Sequence, residues 1–134
     1  GVPIKQGLAI TGSLDQLGTA QPIGGVNEKI EGFFDICKAI GLTGDQGVLI
    51  PSANAKHLML RPDVIEAAAA GQFSVYTYQS IDDAISLLTG VEAGDREASG
   101  CYPPDTINFL VDRRLRELAD LQRAFTDRSE RGGQ

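Results

Sequence analysis

Pro22-Ile23-Gly24-Gly25-Val26-Asn27-Glu28-Lys29-Ile30-Glu31-Gly32-Phe33-Phe34 is the stretch on which the reading of this chain turns. Gly24 and Gly25 build a turn, and the turn opens into a helix. At about 100° per residue, Ile30, Phe33, Phe34, Ile36, Cys37 and Ile40 share one apolar arc, with Glu28, Glu31, Asp35 and Lys38 opposite. Lys29 falls inside that arc, in line with Phe33, Ile36 and Ile40. It also sits in the first helical turn, beside the positive end of the helix dipole. Burial and dipole both disfavour a charged amine, and an uncharged lysine serves as a general base. The plainer alternative packs the lysine stem on Phe33 and lets the amine reach water.

Outward from this helix the chain alternates strands and helices. Gly7–Gly12 reads as a short buried strand. Leu14–Gly18 carries turn chemistry, and Thr19–Ile23 is suited to pair back as an edge strand with Pro22 at its end. The helix stops near Ile40-Gly41, where glycine suits a left-handed cap. Gly47–Pro51 is a second buried strand, Asn54–Leu60 one helical turn, and Pro62–Ala70 a short helix capped by Gly71. Phe73–Tyr78 alternates like a half-buried strand. Ser80 is an N-cap with Asp82 and Asp83 in the first turn of a helix over Ile81–Leu88. A Gly/Ala/Asp-rich loop over 89–105 leads to a last helix from Thr106 to Phe125. Ile107, Leu110, Val111, Leu115, Leu118, Leu121 and Phe125 line one side of that helix, and Asp127–Gln134 reads as a frayed polar tail. The layers are those of a mixed α/β arrangement.

The 134 residues suit one compact domain with a real core. Twelve basic against eighteen acidic residues leave a net charge of −6, which argues against nucleic acid held by bulk charge. No window is long and apolar enough for a membrane span, and the start does not read as a secretory signal. Gly1-Val2-Pro3-Ile4 lacks an initiator Met, as expected of a piece of something longer. Two cysteines, Cys37 and Cys101, form no framework and fit a reducing compartment; Cys37 on the apolar helix face reads as a small core residue.

Little else offers chemistry. There is no phosphate-binding loop of the Walker type and no Cys/His cluster, and one histidine, His57, cannot build a histidine-rich metal site. His57 reads as a surface residue, Asp82-Asp83 as a helix start, and Ser13 and Ser52 as loop serines. Lysine remains the unusual base, and a lysine base works with a hydroxyl whose proton it removes. Thr11, at a strand end beside Gly12, is placed to meet Lys29 across the turn as a hydrogen-bond partner that orients the amine.

Ala9-Ile10-Thr11-Gly12, then Gly18, then Gln21 through Ile30 resemble the proteolytic domain of Lon, the ATP-dependent serine protease. Val48–Pro51 with Asn54, and Ser80–Ala84, resemble later parts of the same domain. Gly94-Asp95 through Tyr102–Asn108 and the following helix resemble the extra C-terminal element of LonB-type and other Lon-like proteins more than the LonA form. The resemblance covers most of residues 7–125. It implies an α+β domain related to ribosomal protein S5 domain 2, a small mixed sheet packed with helices. Residues 1–126 are then the C-terminal portion of that domain, with its extra helix at about 106–125.

The resemblance further implies a Ser–Lys dyad in which Lys29 is the catalytic lysine, with Thr11, Gly24 and Gly25 in support. The nucleophilic serine is expected upstream, beyond the 28 residues that precede Lys29, so this chain alone is expected to be inactive. ATP and Mg are expected through a separate AAA+ module. The implied partners are unfolded or damaged proteins, the upstream portion of the same domain, and further copies in a hexameric ring, in the cytoplasm. Ser13 stands where many relatives carry an acidic residue. The alternative is a non-proteolytic Lon-like scaffold or assembly domain of a recombination-type ATPase, a role in which a lysine on the apolar arc has no use.

Overall fold

The computed structural model describes residues 1–131, with side chains through Thr126. Its elements run β1 (Leu8–Ile10), β2 (Ser13–Leu14), β3 (Ala20–Gln21), α1 (Val26–Ile40), β4 (Gly47–Pro51), a 3-10 turn (Ser52–His57), α2 (Pro62–Ala69), β5 (Ser74–Tyr78), α3 (Ile81–Thr89) and α4 (Ile107–Arg131). They form two compact units that divide between Gly90 and Val91, where the length led us to expect one.

β4 is buried at all five positions. A run without polar alternation fits a strand covered on both faces, and β4 lies between β1 and β5, parallel to both. Its register sets Leu8 against Gly47 and Pro51 against Tyr78. α1 crosses from β1 to β4, and α2 crosses from β4 to β5. Because the strands are laid down in order in one direction, crossovers of constant hand put both helices on one face. There Val26, Ile30, Phe34 and Cys37 of α1 meet Val48, Ile50, Val64, Ala67 and Phe73. Phe34 and Phe73 pack edge to face with centroids 5.2 Å apart, a favourable aromatic geometry. Leu49 points the other way, to Tyr78 and Ala84.

Strands and small sheets packed with helices are compatible with the expected α+β class, with one refinement. The mixed sheet resolves into a parallel three-stranded sheet and a separate antiparallel pair, β2 with β3.

Several expectations are corrected. β1 is half-buried to exposed, because it is an edge strand. The apolar arc of α1 is narrower than drawn: Ile36 and Ile40 are 60% and 76% exposed. Lys29 lies in their row and is exposed too, so the buried amine expected from periodicity is not found in this chain. Gly41 has φ 103° and ψ 125°, outside the left-handed helical well; the Gln46 side chain donates to its carbonyl.

In the second unit α4 is anchored at its start, where Ile107 and Asn108 donate backbone hydrogen bonds to Glu92 and Ala93. Beyond Leu110 its apolar side is exposed. The helix continues through Arg131, past the expected fray at Asp127, since no glycine or proline interrupts 126–131. The rest of the expected tail, 132–134, lies outside the described residues. Among the described residues no helix is long and apolar enough to cross a membrane.

A candidate active-site cleft

Thr11 follows β1 and is held twice through its backbone. Its N–H donates to the Leu49 carbonyl at 3.0 Å, and its own carbonyl accepts from the Tyr78 hydroxyl at 3.2 Å. Tyr78 is 3% exposed, and burial pushes its hydroxyl above the usual phenol range. The ring tip lies over Gly12 so closely that a methyl group there would run into the hydroxyl. Gly12 is therefore glycine for the sake of close approach.

The chain then turns through the short β2–β3 hairpin. Asp15 stabilises that hairpin by accepting from the N–H groups of Leu17 and Thr19, which hold its carboxyl below the ordinary range. Ile23 comes next, and Asn54 clasps it. Asn54 Oδ1 accepts from the Ile23 N–H at 3.0 Å, and Asn54 Nδ2 donates to the Ile23 carbonyl at 2.8 Å. Gly25 takes φ 67° at the helix start, a left-handed conformation that favours glycine. Its carbonyl accepts from the Lys29 N–H at 3.2 Å. Gly24 has neither a positive φ nor any neighbour a methyl group would meet.

These two approaches meet in a cleft of about 350 Å³ lined by Ala9, Ile10, Thr11, Glu28, Lys29, Gly32, Phe33 and Val48. Thr11 and Lys29 are thus brought to one cleft, as the sequence reading placed them, and Gly25 starts the helix that carries the lysine. Among the described residues the Lys29 ammonium has no hydrogen-bond or ion-pair partner, so the expected bond to Thr11 is not formed in this chain. Among the described residues no serine or cysteine lines the cleft. Ser13 sits in β2 and His57 is exposed at the end of the 3-10 turn. Asp83 completes a capping box with Ser80, and the N–H groups of Gln79 and Ser80 lower its carboxyl. Cys37 is buried, which raises its thiol. Among the described residues no three His, Cys, Asp or Glu side chains come together as a metal site requires.

Sequence reasoning missed two groups that shape this cleft. The Tyr78 hydroxyl was read only as part of an alternating strand, and the Asn54 amide only as part of a resemblance. Neither carried a local signal, since their partners lie 67 and 31 residues away in the chain.

No protein-family model matches the chain. It is 53% identical over 87 residues to a protein of Escherichia coli (strain K12) named as a Lon protease homolog, a match covering 65% of this chain and 15% of that protein. It is 42% identical over 122 residues to the Lon protease homolog of Haemophilus influenzae, covering 91% of this chain and 20% of the relative. It is 35% identical over 86 residues to the archaeal Lon protease of Thermococcus kodakarensis, 64% of this chain and 12% of that one. The chain is Lon-like. It spans no more than a fifth of these Lon relatives. The Haemophilus match, at 122 residues, is longer than the first unit and extends into the second. The archaeal Lon match is short enough to fit in the first unit alone.

Proposed function

We propose that this chain is the lysine-bearing part of the proteolytic domain of an ATP-dependent Lon-type serine endopeptidase. The observation that carries the reading is the shared cleft of Thr11 and Lys29, delivered from a strand end and a helix start. A serine from sequence outside this chain attacks the peptide carbonyl while Lys29 takes its proton. Lys29 then returns that proton to the leaving amine, and water hydrolyses the acyl-enzyme. Thr11 accepts or donates a hydrogen bond that orients the amine. The row of half-buried Phe33 and exposed Ile36 and Ile40 beside Lys29 is the surface an upstream segment would cover, and that cover would desolvate the amine. The Ser–Lys dyad is thus completed on folding with the upstream portion, in a domain of the ribosomal protein S5 domain 2 type. ATP and Mg act in a separate AAA+ module, a hexameric ring encloses the cleft, and unfolded or damaged proteins are the substrates.

The exposure of Lys29 favours a second reading, a Lon-like scaffold without peptidase activity. One experiment decides between them. In the parent protein, Lys29→Ala should lower cleavage of fluorescein-labelled casein by at least about 100-fold, the scale of general acid–base catalysis, with the thermal midpoint unchanged. Unaltered cleavage would exclude Lys29 from the chemistry, and a parent that cleaves nothing would favour the scaffold.

A further inference from the structure

We propose that Asn54 is a positioning residue for Lys29, which rests on the proteolytic reading above. α1 has no side-chain cap of its own; its start is Gly25, with no hydrogen bond from a capping side chain. What holds the start comes from the segment after β4. Asn54 is 4% exposed and spends both ends of its amide on Ile23, 31 residues away in sequence, as a neighbouring strand would. Asn27, in the first turn of α1, answers in the other direction. Its Oδ1 accepts from the Met59 N–H at 2.9 Å and its Nδ2 donates to the His57 carbonyl at 3.4 Å. Glu31 accepts from the Arg61 N–H at 2.9 Å. The turn that carries Lys29 is therefore tied to the 52–61 segment on both sides of the lysine, and Asn54 is the buried member of that set.

Asparagine suits the task because it offers one donor and one acceptor together. An ionised carboxylate in its place would still accept from the Ile23 N–H but would oppose the Ile23 carbonyl. Once protonated it would donate to that carbonyl and restore the clasp. A general base misplaced by an ångström loses rate while substrate contacts elsewhere persist.

The test uses the parent protein and fluorescein-labelled casein, with Lys29→Ala run alongside. Asn54→Ala is expected to lower kcat by about tenfold or more, with KM within about twofold. Asn54→Asp should add a limb to the pH profile of kcat, falling as the introduced carboxyl ionises, that neither the parent nor Asn54→Ala shows. Lys56 and His57 on the same 3-10 turn, Glu28, Lys29 and Glu31 on α1, and Tyr78 on β5 are present in all of these proteins except for Lys29 in the control. A limb confined to Asn54→Asp therefore belongs to residue 54. If Asn54→Ala lowers only the folded fraction, Asn54→Asp at acid pH supplies a folded protein with the clasp restored, and its profile still decides. Unchanged kcat per folded enzyme with a profile parallel to the parent overturns the proposal alone, provided Lys29→Ala is inactive. An active Lys29→Ala overturns both the proposal and the reading beneath it.

Discussion

Along α1, Val26, Ile30, Phe34 and Cys37 are 0–5% exposed, whereas along α4, Val111, Leu115, Leu118, Leu121 and Phe125 are 45–75% exposed. Both helices carry an apolar stripe at helical spacing. α1 meets β4 and Phe73, elements that follow it closely in the chain, and its stripe becomes a core. α4 is held by its anchored start and by ion pairs within one turn, such as Arg116 with Asp112 and Arg114 with Glu117. An amphipathic stripe states that a helix has a face to cover; it does not supply the cover. The same lesson holds within α1, where Ile36 and Ile40 belong to the stripe by spacing and stay exposed.

The contrast is broken or upheld most directly by paired truncations. Phe34→Ala removes a ring that is 1% exposed and should cost about 3–5 kcal/mol in urea unfolding of this chain. Leu118→Ala, at 45% exposure, should stay within about 0.5 kcal/mol. A comparable loss for both would mean that the α4 stripe is covered in solution. A smaller effect sharpens the point that α4 rests on local interactions. Thr106 stands just ahead of it, and its Oγ1 accepts from the Phe109 N–H while donating to the Pro103 carbonyl. Thr106→Ala should cost about 1 kcal/mol, the worth of a typical cap, read as lost helical ellipticity with the unfolding of the α1 core unchanged.

The elements that the sequence made legible are those whose signals are local. Gly47–Pro51, five buried residues closed by proline, was read to the residue, and Ser80 is the expected N-cap, with Asp83 completing a capping box that the sequence reading did not specify. The site was legible in part. Thr11 and Lys29 share a cleft because a strand end and a helix start converge there, a placement that the resemblance implied. For Lys29 the sequence left a buried amine and one reaching water side by side, and the exposed alternative holds; periodicity alone assigns a residue to a face without saying how far the neighbouring sheet extends. β1 ends that sheet, and among the described residues Ile36 and Ile40, in the outer part of the arc, stay exposed. The Asn54–Ile23 clasp spans 31 residues and escapes any reading by window.

The smallest expected effect separates the two helices by their acids. Arg61, at the start of α2, pairs with Asp63 beside it and with Asp35 on α1, and Lys38 of α1 reaches Asp63 at 3.3 Å. The Arg61 hydrogen bonds, with help from Lys38, hold the Asp63 carboxyl down at about 2 from its ordinary 3.8. A folded value below the unfolded one stabilises the fold in full above that ordinary value, and the contribution is lost as pH falls toward the folded value. The thermal midpoint of the unsubstituted chain should therefore exceed that of Asp63→Asn by a small margin near about pH 5, and the margin should close by about pH 2. The side chains are more than a third exposed, so added salt should shrink the margin too. Asp112 is lowered in the same sense, chiefly by its hydrogen bond with Arg116, but both partners lie on α4. Asp112→Asn should reduce helical content near about pH 5, with the difference closing over the same acid range, and leave the main unfolding transition where it was. If the two substitutions moved that transition equally, a clamp between helices and a pair within one helix would be doing the same job, and the distinction drawn between α1 and α4 would have to be given up.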